Sequence, residues 1–183
     1  MPWTMLVALS LLSAADLRRA QPDEIAALMQ HVRTIMKADR YSFLVTLDET
    51  GAPRARIMGA FEPDEAMTIW MATNPRTRKV ADLRRDARAM MAYYDSKGGG
   101  YVTLSGRAEV VTDLAERRRR WTPEFACFFP GGPEGHDYVL LRFTPSRIEA
   151  MSFSLGVATR PFEYAPAVIV RSGSGWRREP GGS

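Results

Sequence analysis

Cysteine and histidine are nearly absent: the 183 residues hold one cysteine, Cys127, and two histidines, His31 and His136. A lone cysteine excludes an intramolecular disulfide, and no Cys/His set stands at zinc-ligand spacing, so no metal site is expected. Long hydrophobic runs are missing too. The most apolar stretch, Met5 to Leu12, is too short to span a bilayer, and no membrane association is expected. Small residues follow it at Ser13-Ala-Ala15, as before a signal-peptidase site. No lysine or arginine precedes the run, however, and the Arg18-Arg19 pair comes after it. Residues 1–21 therefore read as an N-terminal segment, either an extra helix on a cytoplasmic protein or an export signal. Charge of one sign is not in excess either: 25 basic against 21 acidic residues leave +4, which permits an anionic ligand without requiring nucleic acid.

What is present is a patterned middle. Pro22, Asp23 and Glu24 suit a helix start, and Ile25, Leu28, Met29, Val32, Ile35 and Met36 recur at helical spacing. Tyr41–Leu47, Pro53–Phe61 and Met67–Ala72 read as a three-stranded meander, turning at Asp48-Glu-Thr-Gly51 and Glu62-Pro-Asp-Glu65. A short helix over Thr77–Arg85 follows, then strands over Ala87–Tyr94 and Tyr101–Val111, the second bent at Ser105-Gly106. Asp113 caps a helix to Trp121, Pro123–Phe129 makes a short helical piece, and Tyr138–Phe143 and Arg147–Met151 read as two further extended pieces. Beyond Ser152, prolines and glycines predict a loosely ordered tail over 154–183, in which Val168-Ile-Val170 could add an edge strand. The fold class expected is mainly β with α+β character: six or seven antiparallel strands in a small barrel or sandwich, with short peripheral helices. A Rossmann reading fails because Gly98-Gly-Gly100 sits in a hairpin and opens no helix.

The chemistry concentrates in Met71-Ala-Thr-Asn-Pro-Arg-Thr-Arg-Lys79, where a strand ends and a helix begins. Free N–H groups at a helix start favour an anion, and the helix dipole makes cations there costly, on the order of 0.3 to 1 kcal/mol each. A phosphate would offset that cost: Arg78 can fork onto two of its oxygens, Lys79 can act as a point charge and the Thr77 hydroxyl can donate a third bond. The same charges would also suit a solvated surface helix.

The pieces Arg56-Ile-Met-Gly-Ala-Phe61, Thr73-Asn-x-x-Thr77-Arg-Lys79, Asp86-Ala-Arg88, Tyr101-Val-Thr-Leu-Ser-Gly-Arg-Ala-Glu109 and Phe129-Pro-Gly-Gly-Pro-Glu-Gly135 occur in this order. Together they resemble the pyridoxamine 5′-phosphate oxidase-like FMN-binding split-barrel superfamily, in its general stress protein branch, over residues 22–153. The resemblance implies a six- to seven-stranded antiparallel split β-barrel, a homodimer with FMN at the subunit interface, and flavin-dependent oxidoreductase chemistry on a small molecule. By position it implies that Thr77, Arg78 and Lys79 hold the FMN phosphate, that Arg56 and Ile57 lie on the strand lining the isoalloxazine ring, and that Thr73 stands near the ring's pyrimidine edge, where Arg56 would supply a cation. Tyr101 stands where the oxidases carry a cofactor-contacting glutamine. The tryptophan and arginine that complete the oxidase site near the C terminus have no counterpart in context here, which counts against vitamin B6 oxidation. A flavin-binding stress or sensor protein without turnover, or the same barrel holding F420 or haem with His31 or His136 as axial ligand, are the alternatives.

Elsewhere the residues carry less. Glu116-Arg-Arg-Arg-Arg-Trp121 reads as a solvated helix face, and Cys127, between aromatics in Phe125-Ala-Cys-Phe-Phe129, reads as a buried inert thiol.

Overall fold

The computed structural model describes residues 14–39, 41–157 and 165–179, with the backbone alone over 14–22. The expected N-terminal segment lies outside these up to residue 13. Helix α1 spans Ala14–Lys37, running through Pro22 instead of starting there, because the residues before it are mostly good helix formers. Its apolar stripe is the one that the spacing predicts: Leu28, Val32, Ile35 and Met36 are buried in the core. At 24 residues it is a long helix, unlike the short peripheral ones expected. No helix among the described residues is long and apolar enough to cross a membrane.

Eight strands follow: β1 Tyr41–Leu47, β2 Pro53–Gly59, β3 Ile69–Thr73, β4 Arg88–Asp95, β5 Gly100–Val111, β6 Val139–Ser152, β7 Ala167–Ser172 and β8 Gly175–Arg178. Between them lie α2 Arg78–Arg85, α3 Leu114–Arg119 and a 3₁₀ turn at Pro123–Cys127. The fold is mixed α+β, dominated by one antiparallel sheet in the order β2-β1-β4-β5-β6-β7-β8, with β3 paired to β6. Along β1, Ser42, Leu44 and Thr46 are buried while Tyr41 and Phe43 face outward, the alternation of a half-buried strand. Asp48 fixes the β1–β2 turn, accepting from the N–H groups of Thr50 and Ala52 and from the Thr50 hydroxyl. Those bonds hold its carboxyl well below the usual carboxylate range.

The two extended pieces expected near residues 138–151 are one continuous strand, β6. Its first half pairs with β3, Ile69 opposite Phe143, and its second half with β7, Arg147 opposite Val170. The bend expected at Ser105-Gly106 is a register shift in the β5–β6 ladder. Glycine is required there: a Cβ on Gly106 would lie 2.2 Å from the Thr144 carbonyl oxygen and 2.7 Å from the Pro145 Cα. A further bridge, Ala60 to Met71, joins the end of β2 to β3.

The loosely ordered tail is corrected over 165–179, where β7 and β8 form a hairpin that adds Ala167, Val168 and Ile169 to the core. Val168-Ile-Val170 thus supplies a strand, although β8, not β7, forms that edge of the sheet. The arginine run is also not a plain solvated face. Arg117 donates to the Gly135 carbonyl, Arg118 pairs with Glu134, Arg119 and Arg120 pair with Glu116, and Arg120 stacks 3.5 Å from the Trp70 ring centroid. These contacts tie α3 to the glycine-rich loop and to β3. Asp113 caps α3 as expected, accepting from the Glu116 N–H at 2.9 Å.

Candidate cofactor site

Where β3 ends, Asn74 and Pro75 turn the chain into α2. The Asn74 side-chain oxygen accepts from the Arg76 N–H, and its carbonyl accepts from both the N–H and the hydroxyl of Thr77. Thr77 therefore stands at the N-cap with its hydroxyl already spent backward, giving no side-chain cap to the helix. The N–H groups of Arg78 and Lys79 find no acceptor among the described residues, and the first turn carries no acidic side chain. Open donors, an uncapped dipole and two cations converge at one point.

Three side chains raise the positive potential further. Lys79 is half-buried and its Nζ donates to the Thr73 hydroxyl at 3.0 Å. Burial, and then the nearby Arg56 guanidinium, pull the Lys79 pKa below its ordinary value. Arg56 reaches the same place from β2, donating to the Thr46 hydroxyl at 2.8 Å and to the Leu44 carbonyl at 3.2 Å. Burial lowers the Arg56 pKa too, opposed by Asp82 and reinforced by Arg78. Asp82, on the buried face of α2, accepts from Thr46 at 2.9 Å and lies 3.7 Å from Arg56. It orients Arg56 through a shared partner.

Around this point opens a basic cleft of about 990 Å³, lined by Arg56, Thr77, Arg78 and Lys79 together with Arg76 and Arg54. Beside it lies an apolar groove of about 590 Å³, lined by Ile57, Thr73, Phe61, Phe125, Phe128 and Phe129, among others. Lys79 lines both and is the corner where they meet. An anion bound in the cleft would offset the unfavourable charge at the helix start, and an attached flat apolar group would enter the groove.

The structure thus brings six of the seven predicted residues to one place, but in two groups. Arg56, Thr77, Arg78 and Lys79 line the cleft, while Ile57, Thr73 and again Lys79 line the groove. Arg56 is therefore a correction: its guanidinium is held at the phosphate end by Thr46 and Asp82, not at the pyrimidine edge of a ring in the groove. Tyr101 is not brought in. It begins β5, opposite Tyr94 and Met151, and lines neither cavity. Cys127 is corrected as well, since it is exposed, its thiol donating to the Glu124 carbonyl.

Sequence reasoning missed Asp82 and the phenylalanine wall. Asp82 had a signal: it is the sole acid within the helix Arg78-Lys-Val-Ala-Asp-Leu-Arg-Arg85, one residue from the core-facing Leu83. The wall had one in the aromatic density of Phe125-Ala-Cys-Phe-Phe129.

Residues 27–169 match the family model described as pyridoxamine 5′-phosphate oxidase-like, and the chain belongs to that family. It is 27% identical over 111 residues to protein bli-3 of Neurospora crassa, a match covering 55% of this chain and 53% of that protein, so the chain spans about half the length of this curated relative. Among solved structures it resembles a protein related to general stress protein 26 from Clostridium acetobutylicum, with a TM-score of 0.62 at 23% identity over 72% of this chain and 92% of the other. It also resembles a pyridoxamine 5′-phosphate oxidase-related, FMN binding protein from Nostoc punctiforme, with a TM-score of 0.63 at 18% identity over 92% and 98%. At these identities the likeness shows the fold.

Proposed function

We propose that this protein is an FMN-binding flavoprotein of the split-barrel type, an oxidoreductase acting as a homodimer on a small molecule. The observation that carries the reading is the junction at Lys79: a cationic cleft with unspent helix N–H donors meets an apolar groove at one half-buried amine. The residues fit the cofactor. Arg78, Lys79, Arg56 and the α2 N–H groups would hold the phosphate, while Ile57 and Thr73 would line the ring. Bound there, the flavin would supply hydride or single-electron transfer. The chain's own part is to fix the cofactor, to donate from the Thr73–Lys79 pair toward its polar edge and to exclude water with the phenylalanine wall.

The barrel form is supported by the Ala60–Met71 bridge, which joins β2 to β3 and would close the ring β2-β1-β4-β5-β6-β3. The homodimer is supported by the outer face of β1, β2 and β4, where Tyr41, Phe43, Ile57 and Tyr94 are all about half exposed or more. An aromatic patch of this kind favours a protein partner. A second copy on it would also bring a Tyr101 near the groove, the one predicted residue that a single chain leaves out.

One observation favours a second reading, flavin binding without turnover: no carboxylate or imidazole lines the groove to move a proton. Turnover with NAD(P)H or B6 vitamers separates the two. The cofactor is tested by titrating flavin-free protein with FMN, F420 and haem in parallel. Saturable one-per-chain binding of FMN, lost in the double variant Arg78→Ala/Lys79→Ala while the fold persists, supports the proposal. Equal FMN binding by that variant, or a preference for F420 or haem, overturns it.

A further inference from the structure

The apolar groove is chemically lopsided. Its corner with the basic cleft holds Lys79, Thr73 and Asn74, and its other end is walled by Phe61, Phe125, Phe128 and Phe129. Phe125 stands edge-on to Phe61 at 5.9 Å and to Phe129 at 6.0 Å, so the wall is a set of locked rings. Phe128, tilted on Phe129, is left 72% exposed, the most exposed of the large hydrophobic side chains among the described residues. The core gives no reason for that ring to stand where it does.

Thr122 adds a polar handle to the same end. It occupies the N-cap of the 3₁₀ turn, yet its side chain makes no capping hydrogen bond, and it lines the groove. Its hydroxyl is therefore available to a guest. No charged side chain lines the groove except Lys79, at the far corner. A phosphorylated substrate would need a second cation set at the phenylalanine end, and a charged group placed there would be desolvated without a partner.

We propose that the phenylalanine end of the groove is the site for an uncharged, planar aromatic substrate with one hydrogen-bonding substituent, its ring packed on Phe125, Phe128 and Phe129 and its substituent on the Thr122 hydroxyl. This rests on the flavin reading, since such a molecule would lie beside a ring placed at Thr73. It defines the substrate class as neutral and aromatic, in contrast to the phosphate-bearing vitamers.

The probe is 2-naphthol, with pyridoxal 5′-phosphate as the charged competitor, added to full-length protein whose FMN content has been read from its visible absorbance. Calorimetry is expected to show saturable 2-naphthol binding at least tenfold tighter than that of pyridoxal 5′-phosphate. Phe128→Ser, at an exposed position where the fold loses little, is expected to weaken 2-naphthol about tenfold, and Thr122→Val about fivefold, the worth of one hydrogen bond. Both variants should keep the wild-type FMN content. Pyridoxal 5′-phosphate binding as tightly as 2-naphthol, no saturable 2-naphthol binding, or wild-type binding by both variants would overturn the assignment. Protein that takes up no FMN but binds 2-naphthol with this variant dependence would sink the flavin reading and leave the groove's preference intact. Protein that takes up FMN and ignores 2-naphthol would do the reverse.

Discussion

Lys79 is the residue on which binding and stability pull in opposite directions. In the flavin-free protein its charge is half-buried, stands at the positive end of a helix dipole and faces Arg56, so it opposes folding. Lys79→Met is therefore expected to raise the stability of the flavin-free protein by about 0.3–1 kcal/mol in thermal or urea denaturation, while weakening FMN by about tenfold or more. Its pH dependence follows from the same cause. A base whose folded pKa is depressed binds fewer protons folded than unfolded just below its ordinary value, so stability rises with pH through that window. Wild-type flavin-free protein should thus close the gap to Lys79→Met as pH climbs toward 10.5, and a gap constant with pH would contradict this account. Asp82 acts in the opposite sense. Asp82→Ala would leave the Thr46 hydroxyl and the Arg56 guanidinium short of a buried acceptor, with an expected loss of about 1–3 kcal/mol by urea denaturation. The cations at 78 and 79 were legible from sequence because the family motif and the dipole argument point to the same residues. The Arg56 tether was not, since it depends on β1 and α2 side chains brought together only by the fold.

At the scale of elements, patterning decided most of the outcome. The 3.6-residue stripe of α1 and the alternation of β1 are in the structure as the sequence predicts, because each buries one face against the same core. The β7–β8 hairpin was misread because Ser172-Gly-Ser-Gly175 looks like a flexible tail. Read as a hairpin loop it was a usable signal: Gly173 takes a φ of +59° in a two-residue turn between Ser172 and Gly175, which pair. Trp176 then lies under the Arg171 guanidinium, 4.6 Å from its ring centroid, and packs against the core. The continuity of β6 was hidden by Pro145, which lies at the β5–β6 irregularity, a place that tolerates a missing N–H. Gly106 is the residue that this crossing cannot change. Gly106→Ala would press a methyl group into the Thr144–Pro145 backbone, at an expected cost of about 2–3 kcal/mol in chemical denaturation, whereas Gly51→Ala, with open space around it, should show only the cost of its positive φ.

The whole molecule is a sheet with two unequal faces. One side of β1, β2 and β4 packs into the core under α1, and the other offers Tyr41, Phe43, Ile57 and Tyr94 to a partner. Ile57 belongs both to that patch and to the groove, so assembly and cofactor binding are expected to be linked. Phe43→Lys, which puts a charge in the patch without touching either cavity, should shift the protein from dimer to monomer in light scattering and weaken FMN with it. A dimer with undiminished FMN affinity would break that link. Nothing in the strand pattern distinguished this face from an ordinary solvent-facing one; only the coincidence of four large side chains on adjacent strands does so. The central claim, that the cleft and groove meeting at Lys79 hold a flavin, is tested most directly by the visible spectrum of the purified protein, with the released chromophore identified by mass after denaturation. One FMN per chain is the result predicted here. A colourless protein that takes up no FMN when it is supplied, or one that carries haem or F420 in its place, would contradict it.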